Sequence, residues 1–226
     1  LPMLGDLVQE ITPDGAVVYE WKSWEHLNEE EDVICFLERR RERTHQNALN
    51  LTPDGNLLVS FRQTSTVGIV DKASGDFTWK WGPGEVNHQH HPTYLDNGRI
   101  LMFDNGCHRR GASRSPILEV DPATNEIAWE YQGTPDISFY SYNISSAERQ
   151  PNGNTLICEG APGRIFEVTP DKVIVWEYIN PYFGDRGQAG SVNGVFRAHR
   201  YGPDHPGLQG KELDPARYNN VNQLYA

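Results

Sequence analysis

Apolar positions in this chain come in short runs set between turn signals. Three runs follow an Asx-Gly turn: Pro53-Asp54-Gly55-Asn56 leads into Leu57-Leu58-Val59, Asp96-Asn97-Gly98-Arg99 into Ile100-Leu101-Met102, and Pro151-Asn152-Gly153-Asn154 into Thr155-Leu156-Ile157. Turns of this kind join tight antiparallel hairpins. A second unit follows each: Thr66 to Asp71, Ser115 to Asp121, and Gly163 to Val168. A third unit closes the period with aromatic, charged, aromatic: Tyr19-Glu20-Trp21, Trp79-Lys80-Trp81, Trp129-Glu130-Tyr131 and Trp176-Glu177-Tyr178, at spacings of 60, 50 and 47 residues.

Each period therefore holds four short strands, the content of one propeller blade. The fold class is all-β, a β-propeller of four-stranded blades in a single domain over residues 1–226. A β-sandwich has short strands too, but nothing in it requires the same aromatic outer strand at near-constant spacing. The aromatics Trp79, Trp129 and Trp176 are expected to pack between blades. Three blades are whole, from about Thr44 to Trp81, His90 to Tyr131 and Asn143 to Tyr178. Asp6 to Trp21 supplies an outer hairpin and Val195 to Tyr201 one inner strand, so about four blades' worth is present. The count predicts a ring completed by blades preceding Leu1 or by self-association. One insertion breaks the β pattern: residues 29–43 begin with Glu29-Glu30-Glu31-Asp32 and end with Arg39-Arg40-Arg41 and Arg43, the charge order that suits a helix dipole. A short rim helix with Val33, Phe36 and Leu37 on one face is expected there.

Charge narrows the partners. With 20 Lys and Arg against 31 Asp and Glu the net charge is −11, which disfavours nucleic acid and anionic lipid. No apolar run of 18 residues exists, so no membrane span is expected, and Leu1 to Asp6 has neither the basic nor the apolar region of a signal peptide. Cys35, Cys107 and Cys158 have no metal-type spacing; at most one disulfide can form among them.

The chemistry concentrates in histidine and arginine. His45 and His90 open the inner strands of their blades and so face the axis. His90 lies in Asn87-His88-Gln89-His90-His91-Pro92, His199 in the later segment Phe196 to Tyr201, and His108, Arg109 and Arg110 follow Phe103-Asp104-Asn105-Gly106. His88 and His90, two apart on one strand face, offer an alternative metal pair with His45 or His108.

Thr44-His45-Gln46-Asn47 followed by Leu57 to Arg62, then Gln89-His90 followed by Phe103-Asp104-Asn105-Gly106, then Asn152 to Ile157, resembles the repeat pattern of the bacterial arylsulfotransferase family, over about Asp6 to Gly207. The resemblance implies a six-bladed, periplasmic or extracellular propeller with no cofactor. It would move a sulfuryl group from a phenolic sulfate ester to a phenolic acceptor through a histidine intermediate. It further implies catalytic roles for His45 and His90, with Arg109 or Arg110 as the sulfate-binding arginine in a substrate-binding set that takes in His108 and Asn47. The inner strand after His90 reads Tyr142-Asn143-Ile144-Ser145-Ser146-Ala147, without histidine, which leaves His199 as the candidate replacement. The contrasting expectation is a non-catalytic extracellular module that binds a ligand or metal.

Overall fold

A computed structural model describes residues 2–185 and 190–218. Strands β1 (Leu7–Ile11) and β2 (Val17–Lys22) form a hairpin, followed by one helical turn, α1 (Ser23–His26). Three four-stranded antiparallel meanders come next: β3 (Gln46–Leu51), β4 (Leu57–Phe61), β5 (Thr66–Val70) and β6 (Phe77–Trp81); β7 (His90–Tyr94), β8 (Ile100–Phe103), β9 (Ile117–Val120) and β10 (Ile127–Tyr131); β11 (Ser146–Arg149), β12 (Thr155–Glu159), β13 (Arg164–Val168) and β14 (Ile174–Ile179). A two-residue pair, β15 (Gly184–Asp185) and β16 (Ser191–Val192), ends the set. These sheets are the blades of a β-propeller, with the expected boundaries. Inner strands adjoin one another, β3 against β7 and β7 against β11.

The blade pattern explains why the second strands read as unbroken apolar runs. Each is covered on both faces, as a sheet sandwiched between neighbours must be. Leu57, Val59 and Phe61 pack with Val8 and Trp21 of the first hairpin, while Leu58 turns the other way onto Ile100, Met102 and Val120. One blade on, Leu101 and Phe103 meet Ile157, Phe166 and Val168. Each such side chain, buried to 0% exposure at Phe61, Phe103 and Phe166, contributes about 1.5–3 kcal/mol.

The aromatic outer strands do pack between blades, and the tryptophans add a polar tie. Trp21 Nε1 donates to Gly75 O at 2.8 Å, Trp79 Nε1 to Asn125 Oδ1 at 2.8 Å and Trp129 Nε1 to Pro170 O at 3.0 Å. In every case the acceptor lies in the outer turn of the next blade. Trp176 differs: it is 42% exposed, with the Arg200 guanidinium 4.7 Å above its ring.

Two expectations are corrected. Residues 29–43 form turns rather than a helix. Their backbone is claimed by other segments: Cys35 N donates to Gln63 O, Leu4 N to Arg41 O, and Arg43 N to Leu4 O. The supposed apolar face has nothing to cover it, with Phe36 86% and Leu37 72% exposed. Helical turns without tertiary burial are marginal. Val195 to Tyr201 runs beside β11, where Ser145 N donates to Phe196 O, yet it is not a strand, since no described segment forms a ladder with it.

Candidate functional site

The hairpin register decides which inner-strand positions are equivalent. Phe103 stands five residues after Gly98, Ser60 five after Gly55 and Cys158 five after Gly153. Their cross-strand partners are His90, Ala48 and Ser146. His45 is therefore not the counterpart of His90: it precedes β3 in a left-handed conformation, φ 52°, and of the three equivalent positions only the one held by His90 carries a titratable side chain.

His90 is 4% exposed. Its Nδ1 lies 2.7 Å from Asn105 Oδ1 and 3.1 Å from His88 O. Asn105 is fully buried, and its amide nitrogen donates to Ser141 O and Ile144 O, both at 2.8 Å. Because the –NH2 is committed to two carbonyls, Oδ1 must accept, and the proton of neutral His90 sits on Nδ1. The lone pair is left on Nε2, which takes no hydrogen bond from the described residues. Burial lowers the His90 pKa to about 4, aided by the charges of Arg62 and His45 and opposed by the Asn105 bond. The ring is neutral at pH 7.

Arg62 is a functional candidate that sequence reasoning passed over. It follows β4 and donates to Glu38 Oε1 at 2.8 Å; its charge acts on His88, His90 and Cys107. The signal was present in Phe61-Arg62, where Arg62 stands seven residues after Gly55 as Asn105 does after Gly98, but only the folded loop brings its charge to the histidines. Burial works to raise the Glu38 pKa, and the hydrogen bond and charge of Arg62 with the nearby His88 and His108 outweigh it and hold the group below its ordinary value.

The other expected residues fall into separate groups. His45 Nδ1 is 2.5 Å from Glu42 Oε2, with the side chain 46% exposed. His199 is not on His90: its ring packs edge-on to His91, centroids 6.1 Å apart, and Nδ1 is 2.7 Å from Glu148 Oε2. His91 itself is 3% exposed, bonds Ala147 O through Nδ1, and has its pKa lowered to about 3, by burial and then by the Arg197 charge. Asn47 Nδ2 donates to Gln89 O, a tie from β3 to the segment entering β7, and its buried Oδ1 has no partner among the described residues. Arg109 pairs with the fully buried Asp104, whose pKa burial raises to about 6 against the pull of Arg109. Arg110 is exposed on the rim.

The alternative metal pair is also corrected. His88 precedes β7 with φ 61° and turns to His108, ring centroids 4.9 Å apart, whereas His90 Nδ1 is spent on Asn105. All three cysteines are free; Cys158 is fully buried with its thiol pushed up to about 12. No helix of the described residues is long and apolar enough to cross a membrane.

No curated protein sequence matches the chain. Among solved structures, a Bacteroides caccae protein of unknown function aligns with a TM-score of 0.54 at 16% identity over 76% of this chain and 59% of that one. A catalytically inactive Staphylococcus aureus virginiamycin B lyase solved with quinupristin gives 0.48 at 13% identity, over 76% and 48%. BamB from Moraxella catarrhalis gives 0.42 at 14%, over 76% and 42%. The chain thus spans about three fifths of the first and under half of the other two, and the first likeness is one of fold. The sequence profile of the arylsulfotransferase (ASST) family matches residues 2–181, more than half of the chain, and the chain belongs to that family.

Proposed function

We propose that the protein transfers a sulfuryl group from a phenolic sulfate ester to a phenolic acceptor, with His90 as the nucleophile. The observation that carries this reading is the Asn105 lock, which presents an unprotonated Nε2 on a buried, neutral imidazole. The Nε2 lone pair attacks sulfur, the S–O bond to the aryl group breaks, and the phenolate leaves with the bonding pair. The N-sulfo ring keeps its Nδ1 proton on Asn105. The acceptor phenol then gives its proton to His45, whose Nδ1 is held by Glu42, and attacks sulfur as the N–S bond breaks and its electrons return to Nε2.

Arg62 is the cation placed to offset charge on the sulfuryl oxygens, a planar donor suited to gripping two of them. Arg109 braces the Asp104 loop and Arg110 meets substrate at the rim. Asn47 ties β3 to the segment that enters β7, and His199 modulates His91. An extracytoplasmic location follows from the family reading alone, as does completion of the ring by further blades or a second copy.

The test uses 4-nitrophenyl sulfate and phenol. Nitrophenol release by the wild type, lost by ~100-fold or more in His90→Ala, supports the reading, as does a sulfuryl adduct on His90 trapped without acceptor. A His90→Ala protein that keeps the rate, or an adduct on His199, overturns it.

A further inference from the structure

Cys35, His88 and His108 come from three separate segments: the 29–43 insertion, the entry to β7 and the loop after β8. Their ligand atoms all lie within 4.8 Å of one another. Cys35 Sγ is 3.4 Å from His108 Nδ1, and the two imidazoles stand perpendicular, at 88°. Glu38 Oε1 completes the group, 3.8 Å from His88 Nδ1 and 3.9 Å from His108 Nδ1. From these positions we infer that Cys35, His88 and His108 bind a zinc ion, with Glu38 supplying the fourth ligand and the ion clamping the insertion to the propeller rim.

The donors and their spacing both fit. One thiolate, two imidazoles and a carboxylate form a tetrahedral zinc set, and zinc bonds of 2.0–2.3 Å require ligand atoms about 3.3–3.8 Å apart. The separations of 3.4, 3.8 and 3.9 Å lie in or just beyond that range and the other separations among Cys35, His88 and His108 stay within 4.8 Å, so the group closes on an ion by side-chain movements of about 1 Å or less. A second observation points independently to a ligand. His88 is 1% exposed, and its Nδ1 is buried with no hydrogen-bond partner among the described residues, an arrangement that destabilises the fold unless something ligates the nitrogen. Glu38 is too far for that bond and is held instead by Arg62 at 2.8 Å, the supporting contact expected around a metal ligand.

The backbone is set for the same purpose. His88 and His108 both adopt left-handed conformations, φ 61° and 65°, which non-glycine residues keep where the surroundings demand them. Cys35 is fixed from both sides, its N–H donating to Gln63 O and its carbonyl accepting from Arg40 Nη1. Entry is open through a cavity of about 560 Å³ that Cys35, His88 and His108 line. His90 is not among the ligands, its Nδ1 being bonded to Asn105.

The experiment loads chelator-stripped full chain with zinc(II) and, separately, cobalt(II). One equivalent of zinc is expected, with a raised melting temperature, and cobalt should give the intense visible bands of a tetrahedral site plus a thiolate charge-transfer band. Cys35→Ser should remove that charge-transfer band and weaken zinc binding roughly 100-fold or more, beyond the loss seen on removing outer contacts. His108→Gln, at a partly exposed position that the fold tolerates, should weaken binding likewise while leaving the far-ultraviolet circular dichroism unchanged. Substoichiometric zinc, a cobalt spectrum indifferent to Cys35→Ser, or a Cys35–Cys107 disulfide in the purified protein overturns the inference. Nitrophenol release is read in the same samples, so failure of sulfuryl transfer and failure of metal binding are seen separately.

Discussion

Arg149 reaches across the seam between two blades to Glu119, its Nη2 2.7 Å from Oε2. One period later Arg200 makes the same pair with Glu167. Both glutamates are about 5% exposed at the side chain and sit at the next-to-last position of their strands, β9 and β13. A buried carboxylate needs its charge met, and here the next blade meets it. Arg149→Met leaves Glu119 with Arg99 and Asn97 and should cost about 1–3 kcal/mol, read as a lower urea midpoint. Adding Glu119→Leu should recover part of the loss, since the buried Oε2 that lost its partner goes with it.

Gly106 adopts φ 64°, and a Cβ there would stand 2.0 Å from Arg114 O. Backbone cannot yield as a flexible side chain can. Gly106→Ala should therefore destabilise by more than about 2 kcal/mol and displace the loop that carries Asn105 and His108. A melting temperature within a degree of wild type would contradict this.

The fold was legible because its signals are local and repeated. An Asx-Gly turn followed by an apolar run needs no distant partner to be recognised, and Leu57 to Phe61 reads the same in sequence as in the sheet. The 29–43 segment misled because its charge order suits a helix, whereas the deciding contacts, Cys35 with Gln63 and Leu4 with Arg41, are long-range. The site was half visible for the same reason. His90 stood out by its motif, but its equivalence to Ala48 depends on strand register, and Arg62 and Cys35 join the histidines only through folding. His199 was grouped with His90 on the assumption that inner segments share one axis face, while the left-handed His91 turns its own ring to His199.

Acid should unfold the protein through its buried histidines. His88 and His90 titrate at about 4 and His91 at about 3 in the folded state, against an ordinary 6.5, burial being the main cause. The unfolded chain thus binds more protons below pH 6.5, and the stability these groups give above that pH is lost as pH falls toward 4. Asp104, raised to about 6, and Glu159, also raised by burial, work the other way, leaving a net uptake on unfolding. Stability should fall from pH 7 to pH 4.5 at about 1.4 kcal/mol per pH unit for each net proton. His91→Gln should flatten the urea-midpoint profile by one proton's worth, and an unchanged slope would show that His91 is not buried neutral.

The remaining prediction concerns how Asn105 acts on His90. Asn105→Leu keeps the number and branching of the side-chain heavy atoms but removes the Oδ1 acceptor and the donor to Ile144 O, so about 1–3 kcal/mol of stability should go with each unpaired group. If Asn105 served packing alone, the surviving folded protein would turn over normally. If it fixes the proton on Nδ1, the imidazole tautomers mix, and kcat for nitrophenol release should drop several-fold, in proportion to the rings that lose the Nε2 lone pair, with KM little changed, because substrate contacts are untouched. Two further readouts separate these cases. The Asn105 bond is one of the effects that raise the His90 pKa, so its loss should move the acid limb of the kcat profile to lower pH. Nitrogen NMR of the variant should show a mixture of Nδ1-H and Nε2-H forms where the wild type shows Nδ1-H alone. An Asn105→Leu protein with wild-type kcat and a single tautomer would leave Asn105 a structural residue and remove the main support for His90 as the nucleophile.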